Sequence, residues 1–142
     1  MFALTDPDAP SRDDPKWSQV CHWLVTYRDG DVQQLVEYKP PAPPEKTGKH
    51  RYVAVVLVPK NGTTEALDLV APEERKRWGY EGERAGIREF AGVNGLKVVG
   101  EFFFPLLWGL ATCFNHRGSA VMASLAEIFA WRLCSGLGCM AC

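Results

Sequence analysis

Apolar residues are concentrated in four short runs, separated by segments rich in proline, glycine or charge. The runs cover residues 2–5, 21–27, 51–58 and 97–104. Each is rich in β-branched or aromatic side chains, which favour extended strands. The run at 51–58 is apolar on both faces, as is typical of a strand covered from both sides in a sandwich.

Only one segment between these runs has helical spacing. Ile87, Phe90 and Ala91 lie at helical intervals, and Gly95 stands where a helix would end, so we predict a short helix near residues 84–94. Residues 39–49 hold four prolines and predict a stiff loop. Long crossings between strands favour a mainly β, antiparallel sandwich over a parallel sheet.

The last part of the chain differs in character from what precedes it. We therefore divide the chain into a β domain at 1–104 and a divergent, apolar, cysteine-containing tail at 105–142, with helix-like spacing at 119–133. No run in the tail is long enough to predict a membrane-spanning helix. Its cysteines do not form the paired C-x-x-C spacings of a zinc site, so no metal is expected.

Composition narrows the class of protein. A chain of 142 residues with a net charge of −1 fits an ordinary globular domain, and it predicts no broad basic face for a nucleic acid. The five cysteines are an odd number and do not suggest a disulfide framework. Because the first residues also lack the basic start of a signal peptide, we expect a cytoplasmic protein with free thiols.

Polar residues at the strand ends supply the candidate chemistry. Asp6 ends the first predicted strand, and His50 and Tyr52 share one face of the third. In the second strand, alternation predicts His22 and Leu24 on one face, with Cys21 and Trp23 on the other. We therefore expect Asp6, both histidines and Tyr52 to converge at one rim, and we do not expect Cys21 and His22 to form a catalytic pair.

Such a cluster suits an anionic or zwitterionic ligand. Imidazole and phenol groups donate hydrogen bonds that strengthen against phosphate, while Asp6 can orient an imidazole and keep it protonated. Two enzymatic alternatives remain open: a hydrolase in which the cluster holds a metal that activates water, and a serine hydrolase in which Ser11 acts with His22 and Asp6. No nucleophile-elbow motif surrounds Ser11.

Two motifs resemble the phosphatidylethanolamine-binding protein family, and the segments at 59–64 and 84–100 are similar to its fungal members in particular. The first is Asp6-Pro7-Asp8-Ala9-Pro10, followed by His22-Trp23, and the second is Gly48-Lys49-His50-Arg51-Tyr52. The proline-rich segment at 41–44 is also similar to a family loop. The resemblance extends from about residue 2 to residue 104.

The resemblance implies a β-sandwich with a small anion pocket. The family's ligand-binding positions fall on five residues of this chain: Asp6, His22, Pro43, His50 and Tyr52. It further implies a non-enzymatic module without a cofactor, which binds phospholipid headgroups or phosphorylated ligands and restrains a peptidase or a kinase. Membrane contact would be peripheral at most.

The chain departs from the family pattern in two respects that bear on the site. Pro40 and Ala42 stand where the pocket loop of the family usually has glycine, which stiffens the loop. The usual strands before the first motif are absent, since only five residues precede Asp6. A shortened isoform that binds nothing is therefore a further alternative.

Overall fold

The computed structural model describes residues 1–28, 30–63 and 67–106. The five strands described are β1 (Phe2–Asp6), β2 (Val20–Arg28), β3 (Asp31–Val36), β4 (His50–Pro59) and β5 (Leu96–Leu106). They form one sheet in the order β3-β2-β1-β4-β5, and every neighbouring pair is antiparallel. The mainly β, antiparallel prediction is confirmed.

Four strands match the four predicted runs, whereas β3 was not predicted. Its sequence, Asp-Val-Gln-Gln-Leu-Val, has no regular alternation, and its first four residues are exposed. A strand at the edge of a sheet buries little apolar surface, so its sequence carries little pattern. The pairing of β3 with β2 therefore depends on tertiary structure.

One face of the sheet is covered by helical segments. Helix α1 (Ile87–Val93) confirms the predicted helix, and a single 3₁₀ turn occupies Arg77–Gly79. The fully buried Trp78 packs against Phe90 of α1, with 5.2 Å between ring centroids. Both belong to the larger apolar core, together with strand residues such as Leu24 and Leu57.

The opposite face carries a smaller apolar cluster and the polar residues of interest. Leu4, Tyr52 and Ala54 are buried there, and Phe104 packs beside them. Towards β5 the face becomes more open, since Phe102 is 42% exposed.

A bulge in β2 changes which residues share a face. Leu4 lies opposite Trp23 while the next residue, Thr5, lies opposite Cys21, so His22 is an extra residue in β2. Cys21 and Leu24 both belong to the core beside Trp78. His22 instead packs against Tyr52, on the same side as Trp23.

The predicted pairing of faces in β2 was therefore wrong. Strict alternation would have placed His22 with Leu24 and Cys21 with Trp23, but an inserted residue reverses the alternation after it. The expectation that Cys21 and His22 point to different sides still holds.

The predictions for the tail at 105–142 concern residues that lie almost wholly outside the described part of the chain. The same is true of the helix-like segment at 119–133 and of four of the five cysteines. Among the described residues, no helix is long and apolar enough to cross a membrane.

Candidate functional site

Asp6 is the centre of the site. It lies at the end of β1, which pairs with β4, and its carboxylate is buried. Oδ2 is 2.8 Å from Nδ1 of His50, the first residue of β4, and Oδ1 accepts the backbone N–H of Asp8 at 2.8 Å. The predicted association of Asp6 with a histidine is therefore present.

Tyr52 connects Asp6 to both histidines. Its ring is 5.1 Å from that of His22 and 6.4 Å from that of His50. Burial raises the pKa of Tyr52, and the neighbouring Asp6 raises it further through its charge and a hydrogen bond. The phenol is thus a neutral hydrogen-bond donor at ordinary pH, and the predicted convergence of Asp6, His22, His50 and Tyr52 is observed.

His22 is the member of the cluster with a free ring nitrogen. Its Nδ1 lies 2.9 Å from the carbonyl oxygen of Lys39 and must donate to it, because a carbonyl can only accept. Nε2 has no hydrogen-bond partner among the described residues. His22 as a whole is buried, with 6% of its surface exposed, and Nε2 is not among the fully buried side-chain polar atoms that lack a partner in that part of the chain.

The surroundings of His22 favour the neutral ring. Burial lowers the pKa of His22, and the nearby charges of Lys39 and Arg75 lower it further, while the Lys39 carbonyl and Asp6 act in the opposite direction.

The proline-rich loop closes over the cluster. Pro41 and Pro43 are buried, and the backbone of the intervening Ala42 acts to lower the pKa of the Tyr52 phenol, against the larger effects of burial and Asp6. Pro43, which the family resemblance assigns to the site, is a buried residue of this loop. A positive φ of 79° at Gly48 turns the chain back towards β4.

Asp8 and Arg51 form a clamp that the sequence did not reveal. Arg51 donates to the carboxylate of Asp8 from its backbone N–H, from Nε and from Nη2, at 2.8, 2.9 and 2.7 Å. Burial of Asp8 opposes ionisation, but the hydrogen bonds and charge of Arg51 outweigh it, so the pKa of Asp8 is lowered. This clamp joins the segment after β1 to β4 and holds Asp6 beside His50.

Arg75 is a second residue that sequence reasoning missed. Its guanidinium donates to the carbonyl oxygens of Cys21, His22 and Glu37, at 3.2, 3.3 and 2.9 Å. It thereby fixes the backbone of β2 at the bulge. No local signal distinguishes this arginine from the charged residues around it.

Three other candidate chemistries can be compared with these contacts. Ser11 Oγ accepts the backbone N–H of Asp14 at 3.1 Å, and no hydrogen bond joins it to His22 or Asp6 in the described structure. Burial raises the pKa of the Cys21 thiol to about 12, which makes it a poor nucleophile. Among the described residues, no group of three or more His, Cys, Asp or Glu side chains is placed to hold a metal ion.

The fold and cluster define a class: an antiparallel β protein with a buried Asp–His pair and a neighbouring open histidine. The family model described as phosphatidylethanolamine-binding protein matches residues 1–103. The chain therefore belongs to the phosphatidylethanolamine-binding protein family.

Among curated proteins, the carboxypeptidase Y inhibitor of Saccharomyces cerevisiae is 31% identical over 125 residues, which cover 72% of this chain and 57% of the inhibitor. A rice relative, Protein MOTHER of FT and TFL1 homolog 2, is 40% identical over 77 residues, covering 51% of this chain and 42% of that protein. The chain thus spans little more than half the length of the inhibitor.

Solved structures show the same relationship. The crystal structure of carboxypeptidase Y inhibitor complexed with the cognate proteinase matches with a TM-score of 0.61 and 33% identity, over 73% of this chain and 57% of that one. A phosphatidylethanolamine-binding protein from Plasmodium vivax matches with a TM-score of 0.57 and 22% identity, over 75% and 62%. The second match supports the fold alone.

Proposed function

We propose that this protein is a non-enzymatic binding module that takes phosphate-type anions, such as phospholipid headgroups, at the cluster around Asp6. One observation carries the proposal: Nε2 of His22 has no hydrogen-bond partner among the described residues, whereas Asp6 and His50 bind each other. An imidazole nitrogen without a hydrogen-bond partner suits a phosphate-type anion, which offers either a hydroxyl or a charged oxygen.

Binding of the ligand would depend on the position of a proton between the phosphate and Nε2 of His22, as well as on the charge of the phosphate. A neutral His22 with its hydrogen on Nδ1 presents a lone pair at Nε2, which can accept a hydrogen bond from the hydroxyl of a monobasic phosphate. A fully ionised anion, such as the phosphodiester of a phospholipid headgroup, has no hydroxyl to donate and requires that Nε2 take up a proton on binding. Pro43 and the adjacent loop would form one side of this site.

Titration with inorganic phosphate and with phosphoethanolamine, followed by NMR of the histidine rings, tests this proposal. We expect the His22 resonances to shift and saturate, and a His22→Gln variant to lose most of the affinity. Vesicles containing phosphatidylethanolamine distinguish a lipid surface from a free headgroup as the source. Unchanged His22 resonances with every ligand would refute the proposal.

A second candidate function, restraint of a peptidase, is favoured by the match to the carboxypeptidase Y inhibitor. We propose that the chain binds a peptidase of that kind. The test is hydrolysis of a peptide substrate by carboxypeptidase Y with increasing amounts of this chain, and with heat-unfolded chain as the control. Unaltered hydrolysis at a large molar excess of folded chain would count against it.

A kinase partner is proposed only because of the family resemblance. A cytoplasmic location is proposed only because of the odd number of cysteines. The division at residues 104 and 105 likewise remains a proposal, which limited proteolysis would test.

A further inference from the structure

Thr47 makes two hydrogen bonds that determine where the protons of the cluster lie. Its Oγ1 is 2.7 Å from the carbonyl oxygen of Pro44 and 3.0 Å from Nε2 of His50. Neither motif of the sequence includes Thr47, and nothing in the family resemblance assigns it a role.

The first of these contacts fixes the hydroxyl hydrogen. Two oxygen atoms 2.7 Å apart repel each other unless a hydrogen lies between them, and the carbonyl of Pro44 has none to give. The single hydroxyl hydrogen of Thr47 therefore points to Pro44. The contact with His50 must then use a hydrogen on Nε2, with Thr47 Oγ1 as the acceptor.

The other nitrogen of the same ring faces an acceptor as well. Nδ1 of His50 lies 2.8 Å from Oδ2 of Asp6, whose second oxygen accepts the N–H of Asp8. We propose that Thr47 holds His50 with hydrogens on both ring nitrogens, as an imidazolium that neutralises the buried Asp6 carboxylate.

The other charged groups around the pair do not provide this compensation. Arg51 of β4 is engaged with Asp8 through its side chain and its backbone. The Tyr52 phenol stays neutral, and the surroundings of His22 in β2 favour its neutral form. Without an imidazolium at position 50, Asp6 would be a buried charge without a counterion, which is costly.

The consequence is a division of roles between the two histidines. His50 has no nitrogen left for a ligand, so it is a positioning residue, and Thr47 is the residue that holds it. His22 is the histidine that meets the ligand. A neutralised Asp6 also explains how an anion can approach a buried carboxylate, and this part of the inference rests on the proposed function.

NMR of ligand-free protein labelled with ¹⁵N-histidine tests the protonation directly at neutral pH. We expect attached protons on both ring nitrogens of His50, and loss of the proton on Nε2 in Thr47→Val. Thr47→Ser keeps the hydroxyl and is expected to keep both protons. If only one nitrogen of His50 carries a proton in the unsubstituted chain, the inference is wrong, whichever nitrogen it is.

Affinity for inorganic phosphate supplies a second readout. Loss of the imidazolium leaves the charge of Asp6 uncompensated, so Thr47→Val should weaken phosphate binding by roughly tenfold, and Thr47→Ser by less than about twofold. Equal affinities in the three proteins would overturn the ligand part. If the unsubstituted chain binds no phosphate, the proposed function fails, while the protonation measurement still decides the role of Thr47.

Discussion

The side chains around Asp6 differ in whether all their hydrogen-bonding atoms have partners among the described residues. Asp6, Asp8, His50 and Arg51 are engaged with one another, whereas Nε2 of His22 is open. The open atom belongs to a group with a lowered pKa. At the residue scale, anion binding and protonation of His22 are therefore linked.

Sulfate tests this linkage, because its charge does not change over the pH range of interest. If binding requires a proton on Nε2, the affinity should rise by up to about tenfold per pH unit as the pH falls, and level off below the pKa of His22. Calorimetric titration between about pH 7.5 and pH 5.5 measures it, since an unperturbed histidine titrates near pH 6.5.

Substitution of the ring provides the control for this measurement. His22→Gln should bind sulfate weakly and without this pH dependence. The pKa of His22 is lower in the folded chain than in the unfolded chain, so the unfolded chain binds more protons. His22 therefore contributes a decrease in the free energy of unfolding as the pH falls below about 6.5, and the variant should lose this contribution.

Asp8 should matter for stability more than an exposed carboxylate does. Asp8→Asn removes the charge that receives three hydrogen bonds from Arg51, and we expect a loss of about 1–3 kcal/mol in the free energy of unfolding. Because the pKa of Asp8 is lowered in the folded chain, this contribution is present above about pH 4 and is lost as the pH falls through the folded pKa.

Asp14→Asn is a matched control for that substitution. Asp14 pairs with Lys16 at 3.1 Å, but their side chains are 65% and 61% exposed, so a change below about 0.5 kcal/mol is expected. Urea unfolding of both variants at neutral pH makes the comparison. Equal losses would contradict a special role for Asp8.

Strands β4 and β2 explain why the arrangement of the site could be predicted only in part from the sequence. The periodicity of β4 correctly put His50 and Tyr52 on one face, with Arg51 on the other. The same reasoning failed in β2, because a bulge inserts His22 opposite β1. Bulge formation depends on the partner strand and on Arg75, which lies more than fifty residues away.

The 3₁₀ turn is anchored by one aromatic side chain. Trp78 is fully buried, and its Nε1 donates to Thr5 Oγ1 at 3.2 Å. Its φ of 55° is unusual for a residue with a side chain. Burial of the indole therefore has to stabilise both the turn and its contact with β1.

Truncation of this anchor should cost much of the stability. We expect Trp78→Ala to lower the free energy of unfolding by about 3–5 kcal/mol. Trp17, which is 38% exposed and lies 4.5 Å from the ammonium of Lys76, offers a control. Trp17→Ala should cost about 1 kcal/mol or less, because a partly exposed ring buries less surface. Thermal unfolding that ranks the two variants in the opposite order would contradict this assignment.

At the scale of the whole molecule, the sheet has two unequal faces. Among the described residues, helix α1 and the 3₁₀ turn cover one face, while the face that bears Asp6 and Tyr52 is open towards β5. Strand β5 pairs with β4 alone in this part of the chain, and its Phe103 is 68% exposed. Exposed aromatic residues on an edge strand favour association between chains.

Phe103→Lys should reduce such association without destabilising the fold. We expect the free energy of unfolding to change by less than about 0.5 kcal/mol, because the ring is mostly exposed. Sedimentation at increasing protein concentration measures association. Tyr27→Lys, at a residue that is 71% exposed in β2, serves as the control. Unchanged association would contradict a role of Phe103 in contacts between chains. A large loss in the free energy of unfolding would contradict the exposure of its ring.

The sequence by itself determined the strands with strong apolar runs, helix α1 and the set of polar residues that converge. These features follow from local periodicity, turn residues and two motifs. Only the tertiary structure decided the side of β2 on which His22 lies, the Asp8–Arg51 clamp and the contact of Thr47 with His50. The reason is physical: Asp6 and His50 are 44 residues apart, and strand order, register and one bulge bring them and their partners together.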